Sequence, residues 1–130
     1  EKAEERNNAR LASWDYYKKG LRELEEKGLI KIQIVPEYST HNAHMFYIKA
    51  KNLEERTKLI KYLKDNGIQA VFHYIPLHDS PAGKRFCRFN GKDEYTTSES
   101  EKLVRLPMYY GLTKSEQDEV IKRIKEFYKN

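Results

Sequence analysis

The chain has 130 residues, 38% of them hydrophobic and 35% charged, which excludes two full-sized domains and leaves room for one compact core. Ten Tyr, five Phe and one Trp exclude a disordered tail, and no run approaches the roughly 20 apolar residues that a membrane helix requires. Cys87 is the single cysteine, so neither an internal disulfide nor a paired-thiol zinc site is available. The net charge of +5 is thinly spread: residues 1–27 hold seven acids and seven bases, and 114–130 five bases and four acids, so both segments read as solvated helix faces. The opening EKAEERNNAR lacks the apolar stretch of a signal peptide, which makes the cytoplasm the expected location. It also lacks an initiator Met and starts inside a helical pattern, as a piece of a longer protein would.

Leu11, Trp14, Tyr17, Leu21 and Leu24 recur at three- and four-residue spacing, so residues 2–27 are expected to form one amphipathic helix closed by Gly28. Strands follow at Lys31–Val35 and His44–Ala50, joined by a short loop and therefore antiparallel. Asn52 with Glu55 has capping-box spacing and opens a helix from Leu53 to Asn66, with Leu59, Ile60 and Leu63 inward. Gly67 ends that helix, and the β-branched and aromatic run Ile68–Ile75 reads as a third strand stopped by Pro76. Residues 77–97 read as an extended loop with at most a short helical turn. Ser98 with Glu101 suggests a short helix to Val104, then an extended piece at Leu106–Tyr109. Thr113 with Glu116 caps a final helix whose inner face is Val120, Ile121, Ile124 and Phe127. The fold class that follows is an α/β sandwich, a small mostly antiparallel sheet with helices packed on it.

The densest chemistry lies in FHYIPLHDSPAG, residues 72–83. A strand end that delivers His73, Tyr74 and His78 to a loop provides hydrogen-bond donors for phosphate or sugar oxygens and a ring for stacking. The same pattern also suits a half-buried His73 and a Tyr74 that simply packs. His41 and His44, in a loop and at a strand start, lack metal-ligand spacing. Cys87 lies near Arg85 and Arg88, which favours thiolate, but no base or orienting group accompanies it. P-loop, GxGxxG, GxSxG and RRM signatures are all absent.

Several segments together resemble a known family: Asn42–Ile48 (NAHMFYI), Ala70–His78 (AVFHYIPLH), Ser80–Gly83 (SPAG), Tyr95–Thr97, Ser100–Glu101 and Arg105–Pro107, with Arg10, Trp14 and Tyr17 in the first helix. The pattern is similar to the C-terminal part of DegT-type sugar-nucleotide aminotransferases, and within them to the dTDP-4-amino-4,6-dideoxygalactose transaminase group. The resemblance implies the small domain of the aspartate-aminotransferase fold, with residues 1–28 as a helix connecting to a missing large domain and 29–130 as the small α/β domain. It implies a parent enzyme that is a cytoplasmic homodimer, transfers an amino group from glutamate to the C4 ketone of a dTDP-4-keto-6-deoxyhexose, and serves cell-envelope polysaccharide synthesis. The implied cofactor, pyridoxal phosphate (PLP), is an electron sink held on a lysine of the large domain. This chain then supplies no catalytic or cofactor-binding residue and is inactive alone, while His73, Tyr74 and His78 contact the nucleotide sugar. No nucleic acid or membrane partner is implied.

Two other classes stand beside this reading. A small nucleic-acid or nucleotide-binding module would use the basic loops and tyrosines, and would show a steep salt dependence of binding. A helix-mediated interaction domain would use the stripe on residues 2–27.

Overall fold

The fold is described from a computed structural model covering residues 2–129. Helix α1, Ala3–Glu26, precedes β1, Lys31–Ile32, and β2, Phe46–Lys49. Helix α2, Leu53–Asp65, leads to a 3-10 turn at Leu77–Asp79 and the short helices α3, Pro81–Phe86, and α4, Thr96–Ser100. Strand β3, Leu103–Leu106, and helix α5, Lys114–Phe127, complete the order. The strands form one antiparallel sheet, β1-β2-β3, in which Ile48 faces Ile32 on one side and Val104 on the other. The expected α/β sandwich is therefore present. Among the described residues, no helix is long and apolar enough to cross a membrane.

Alternation along the strands decides which sheet face is covered. Phe46 and Ile48 of β2 and Val104 and Leu106 of β3 are buried, whereas Tyr47, Lys49, Leu103 and Arg105 point the other way and are half-buried. The buried face meets Trp14, Tyr17, Leu21 and Leu24 of α1, Leu59 and Leu63 of α2, and Val120, Ile121 and Ile124 of α5. The α1 stripe thus serves the domain core. Gly20 brings α1 close to α5, since a Cβ there would lie 2.4 Å from Ile121 Cδ1. Gln117, buried on α5, donates from Nε2 to the Ser13 carbonyl of α1 at 2.8 Å.

The caps are partly as the sequence implies. Thr113 and Glu116 exchange both bonds of a capping box. Asn52 Oδ1 accepts from the Glu55 amide at 2.9 Å, but the Glu55 carboxylate takes the Lys51 amide, one residue earlier than a capping box requires. The expected helix from Ser98 to Val104 is corrected. Helix α4 starts earlier, where Asp93 Oδ1 accepts the Thr96 amide at 2.9 Å, and Leu103 and Val104 belong to β3, paired with Lys49 and Ile48. An apolar residue that completes the sheet core outweighs a local cap signal.

The expected third strand at Ile68–Ile75 is also corrected. Ile68 and Ala70 are buried, but only Val71 bridges to Arg105, by bonds of 3.1 and 2.7 Å. Beyond it the Phe72 ring turns beneath the Arg56 guanidinium of α2, 5.1 Å from its centroid, and pairing stops. The run meets the outer edge of β3 at this one residue and then departs from it, so its β-branched and aromatic content does not become a ladder.

Tyr17 is fully buried, and its hydroxyl donates to the Pro107 carbonyl at 3.1 Å. Burial, with Tyr109 and Glu116 nearby, pushes its pKa up, so the phenol stays protonated. Tyr17→Phe keeps the ring in the core and leaves that carbonyl unpaired; the expected loss is about 1 kcal/mol, read as a lower urea midpoint with an unchanged m-value.

Candidate functional site

Gly67, at φ +76°, ends α2 and turns the chain back along β3. After the Val71 bridge, residues 72–79 leave the sheet edge as a loop. His73 is half-buried, its ring edge-on to Tyr74 at 4.9 Å, and its Nδ1 is buried without a hydrogen-bond partner. Tyr74 is 78% exposed. The 3-10 turn and α3 then close the loop: Ser80 Oγ donates to the Leu77 carbonyl at 2.7 Å and accepts the Gly83 amide at 2.9 Å, with Pro81 in the first helical turn. Gly83 is required by close approach, because a Cβ would stand 1.7 Å from the Leu77 carbonyl oxygen.

His78 points elsewhere. Its Nε2 is 2.8 Å from Asp93 Oδ2 and 3.3 Å from Thr97 Oγ1, and its ring lies 4.4 Å from Phe89. The Thr97 hydroxyl also reaches Asp93 Oδ2, and Asp79 Oδ2 at 3.0 Å, while Lys84 pairs with Asp79 at 3.3 Å. The Thr97 hydroxyl, more than any other group, holds both carboxyls below their ordinary pKa; Lys84 adds to the effect at Asp79, and His78 with the Thr96 and Thr97 amides at Asp93. Of the three residues singled out in the sequence, His73 and Tyr74 are thus brought together, and His78 faces α4.

A cleft of about 310 Å³ lies between this loop and the start of α2, bordered by Arg56, Phe72, Tyr74, Asp79, Thr97 and Glu101. Arg56 anchors it by donating from Nε to the Glu101 carbonyl at 3.0 Å. Tyr74 borders the cleft; His73 and His78 do not. Arg56 and Asp93 carried no usable sequence signal, and Thr97 entered only as part of the Tyr95–Thr97 motif, since tertiary packing alone brings Arg56 to these residues. His41 and His44 border a different, wider cleft of about 770 Å³ beside α1, so the four histidines do not converge. Cys87 is exposed and ends α3, Arg85 lies over the Phe86 ring at 4.9 Å, and Lys84 is engaged by Asp79.

A family model described as the DegT/DnrJ/EryC1/StrS aminotransferase family matches residues 1–125. The chain belongs to this family. Among solved structures, NtdA of Bacillus subtilis with bound cofactor PMP is 30% identical, with a TM-score of 0.79 over 96% of this chain and 29% of its own. A DegT DnrJ EryC1 StrS aminotransferase of Brucella abortus is 26% identical, with a TM-score of 0.80 over 98% of this chain and 32% of its own. The aminotransferase TlmJ of Streptoalloteichus hindustanus shares the fold at a TM-score of 0.85 and 19% identity, over 98% of this chain and 33% of its own. A curated relative, the pleiotropic regulatory protein of Geobacillus stearothermophilus, is 25% identical over 108 residues, which are 82% of this chain and 29% of that protein. The chain therefore spans about a third of the length of the proteins it matches.

The family implies PLP, whose carbonyl carbon bonds to a lysine amine. Such a lysine must lose its proton, which burial away from carboxylates favours. Among the described residues no lysine is buried. The half-buried ones are ion-paired: Lys49 and Lys102 to Glu99 at 2.6 and 2.7 Å, and Lys125 to Glu23 at 3.6 Å. The residues of this chain do not fit the Schiff-base role.

Glu99, between its two lysines, ties α4 to β2. Lys102 and then Lys49 hold its carboxyl at about 2, against an ordinary value of 4.5. A depressed folded-state pKa adds stability that is present above pH 4.5 and is lost as pH falls toward 2. Glu99→Gln is expected to lower the urea midpoint at pH 7, and the gap from the parent protein is expected to shrink steadily below pH 4.5; a gap independent of pH would contradict this linkage.

Proposed function

We propose that this chain is the C-terminal small domain of a PLP-dependent sugar-nucleotide aminotransferase, with residues 1–28 leading in from a larger domain and 29–130 forming the small domain. One observation carries this reading: the family match runs over residues 1–125, while no described lysine suits the cofactor. The Schiff-base lysine then resides in the larger domain, and this chain alone does not transaminate. Bound PMP in NtdA, 30% identical, supports the cofactor assignment.

In this reading the whole enzyme is a cytoplasmic homodimer. It moves an amino group from glutamate to the C4 ketone of a dTDP-4-keto-6-deoxyhexose for cell-envelope polysaccharides such as lipopolysaccharide. The loop at residues 72–79 is the wall that meets the nucleotide sugar. The exposed Tyr74 hydroxyl donates to a phosphate or sugar oxygen, or its ring stacks on the base. The half-buried His73 imidazole, edge-on to Tyr74, is a second polar group for the ligand. His78, at the end of the same loop, bonds Asp93 beside α4. Arg56, fixed by the Glu101 carbonyl, lends positive charge to the adjoining cleft.

His73→Phe and Tyr74→Phe in the full-length enzyme are each expected to raise KM for the nucleotide sugar about five- to tenfold, the equivalent of one lost hydrogen bond, and to leave KM for glutamate unaltered. Steady-state kinetics with both substrates varied checks this. Wild-type constants in both variants would remove the pair from the site.

A further inference from the structure

We propose that His78 is a positioning residue: with Asp93 and Thr97 it forms a clasp that holds the loop 72–79 in the shape that presents His73 and Tyr74, and it does not itself touch the nucleotide sugar. The proposal rests on the reading of that loop as the substrate wall. Its side chain is 19% exposed and that of Asp93 is 20% exposed, so neither offers much surface to a ligand.

The hydrogen-bond arithmetic gives the clasp its logic. The Thr97 hydroxyl carries one proton and lies within reach of two carboxylates, Asp93 and Asp79. A single proton cannot satisfy both, and two carboxylates converging on one hydroxyl repel each other. The Nε2–H of His78 supplies the second donor, to Asp93 at 2.8 Å, and Lys84 offsets Asp79 at 3.3 Å. Asp93 also accepts the Thr96 amide at 2.9 Å and the Thr97 amide at 3.2 Å, so the carboxylate that grips His78 is itself locked to the first turn of α4. Helix α4 is in turn tied to β2 by the Glu99–Lys49 pair at 2.6 Å. A continuous line of bonds therefore runs from the sheet through Lys49, Glu99, α4 and Asp93 to His78, four residues beyond Tyr74. Phe89 covers the imidazole at 4.4 Å and limits the water that competes for the bond.

Loops lacking such a tether sample many backbone conformations, and ordering them on binding weakens affinity. Cutting the clasp is expected to act on substrate binding through the loop, without loss of a direct contact. In the full-length enzyme, His78→Leu and Asp93→Asn should each raise KM for the nucleotide sugar about tenfold, and the double variant should be no worse than the more severe of the two, because the His78–Asp93 bond is lost in each while the other bonds of Asp93 are lost only with Asp93. His78→Gln, whose amide nitrogen can occupy the Nε2 position, should restore most of the loss. In ligand-free protein, amide hydrogen exchange of residues 72–80 should accelerate at least fivefold in His78→Leu and Asp93→Asn, return toward the parent rate in His78→Gln, and leave α1 and α5 protected, which also shows that the variants fold. Unchanged exchange of 72–80 in His78→Leu, or effects of the two single variants that multiply in the double variant, would overturn the proposal. The substrate-wall reading fails separately, if His73→Phe and Tyr74→Phe leave KM untouched.

Discussion

The packing of α1 onto the centre of the sheet is the constraint from which the other positions follow. Tyr17 and Phe46 are both fully buried with ring centroids 5.2 Å apart, and Trp14 meets the same Phe46 edge-on at 5.4 Å. Because Phe46 sits in the middle strand, this aromatic group fixes the helix over β2 and leaves room for α5 on one flank, where Gly20 admits Ile121. The Tyr17 hydroxyl then binds the carbonyl of Pro107, just beyond β3, so one side chain joins the first element of the chain to the third strand. A three-stranded sheet with a two-residue edge strand has little stability of its own, and the helical layer supplies what the ladder lacks.

With one face of the sheet closed by helices, the donor-rich segment lies at its edge. The segment after α2 touches β3 at one bridge and departs, and its departure is what exposes Tyr74 while His73 stays half-covered. The short elements between residues 77 and 100 form a bracket around that departure. Ser80 and Gly83 hold the turn from one end, and Asp93, Thr97 and Glu99 hold it from the other.

Much of this was legible in the amino-acid order. The helical stripe Trp14–Tyr17–Leu21–Leu24, the caps at Asn52 and Thr113, and the antiparallel pairing of β1 and β2 are local or period-bound features, and period is a property of the chain. The motif resemblance held at the level of the family. The places where expectation and structure part share one cause. Ile68–Ile75 has the composition of a strand, and Ser98–Val104 has a cap signal, but tertiary packing decides both: the first run leaves the β3 edge after Val71, and Val104 pairs opposite Ile48.

The sequence by itself determined the α/β class, the three long helices, the family, and the segment rich in donor groups, because hydrophobic period, capping chemistry and ordered motifs are all written along one dimension. Only the tertiary structure decided that Tyr74 borders the cleft while His73 and His78 do not, that Asp93 and Thr97 are the partners of His78, and that Arg56 borders the same cleft. Those relations join residues 15 to 45 positions apart, and their geometry comes from side-chain packing in three dimensions, which no local pattern encodes.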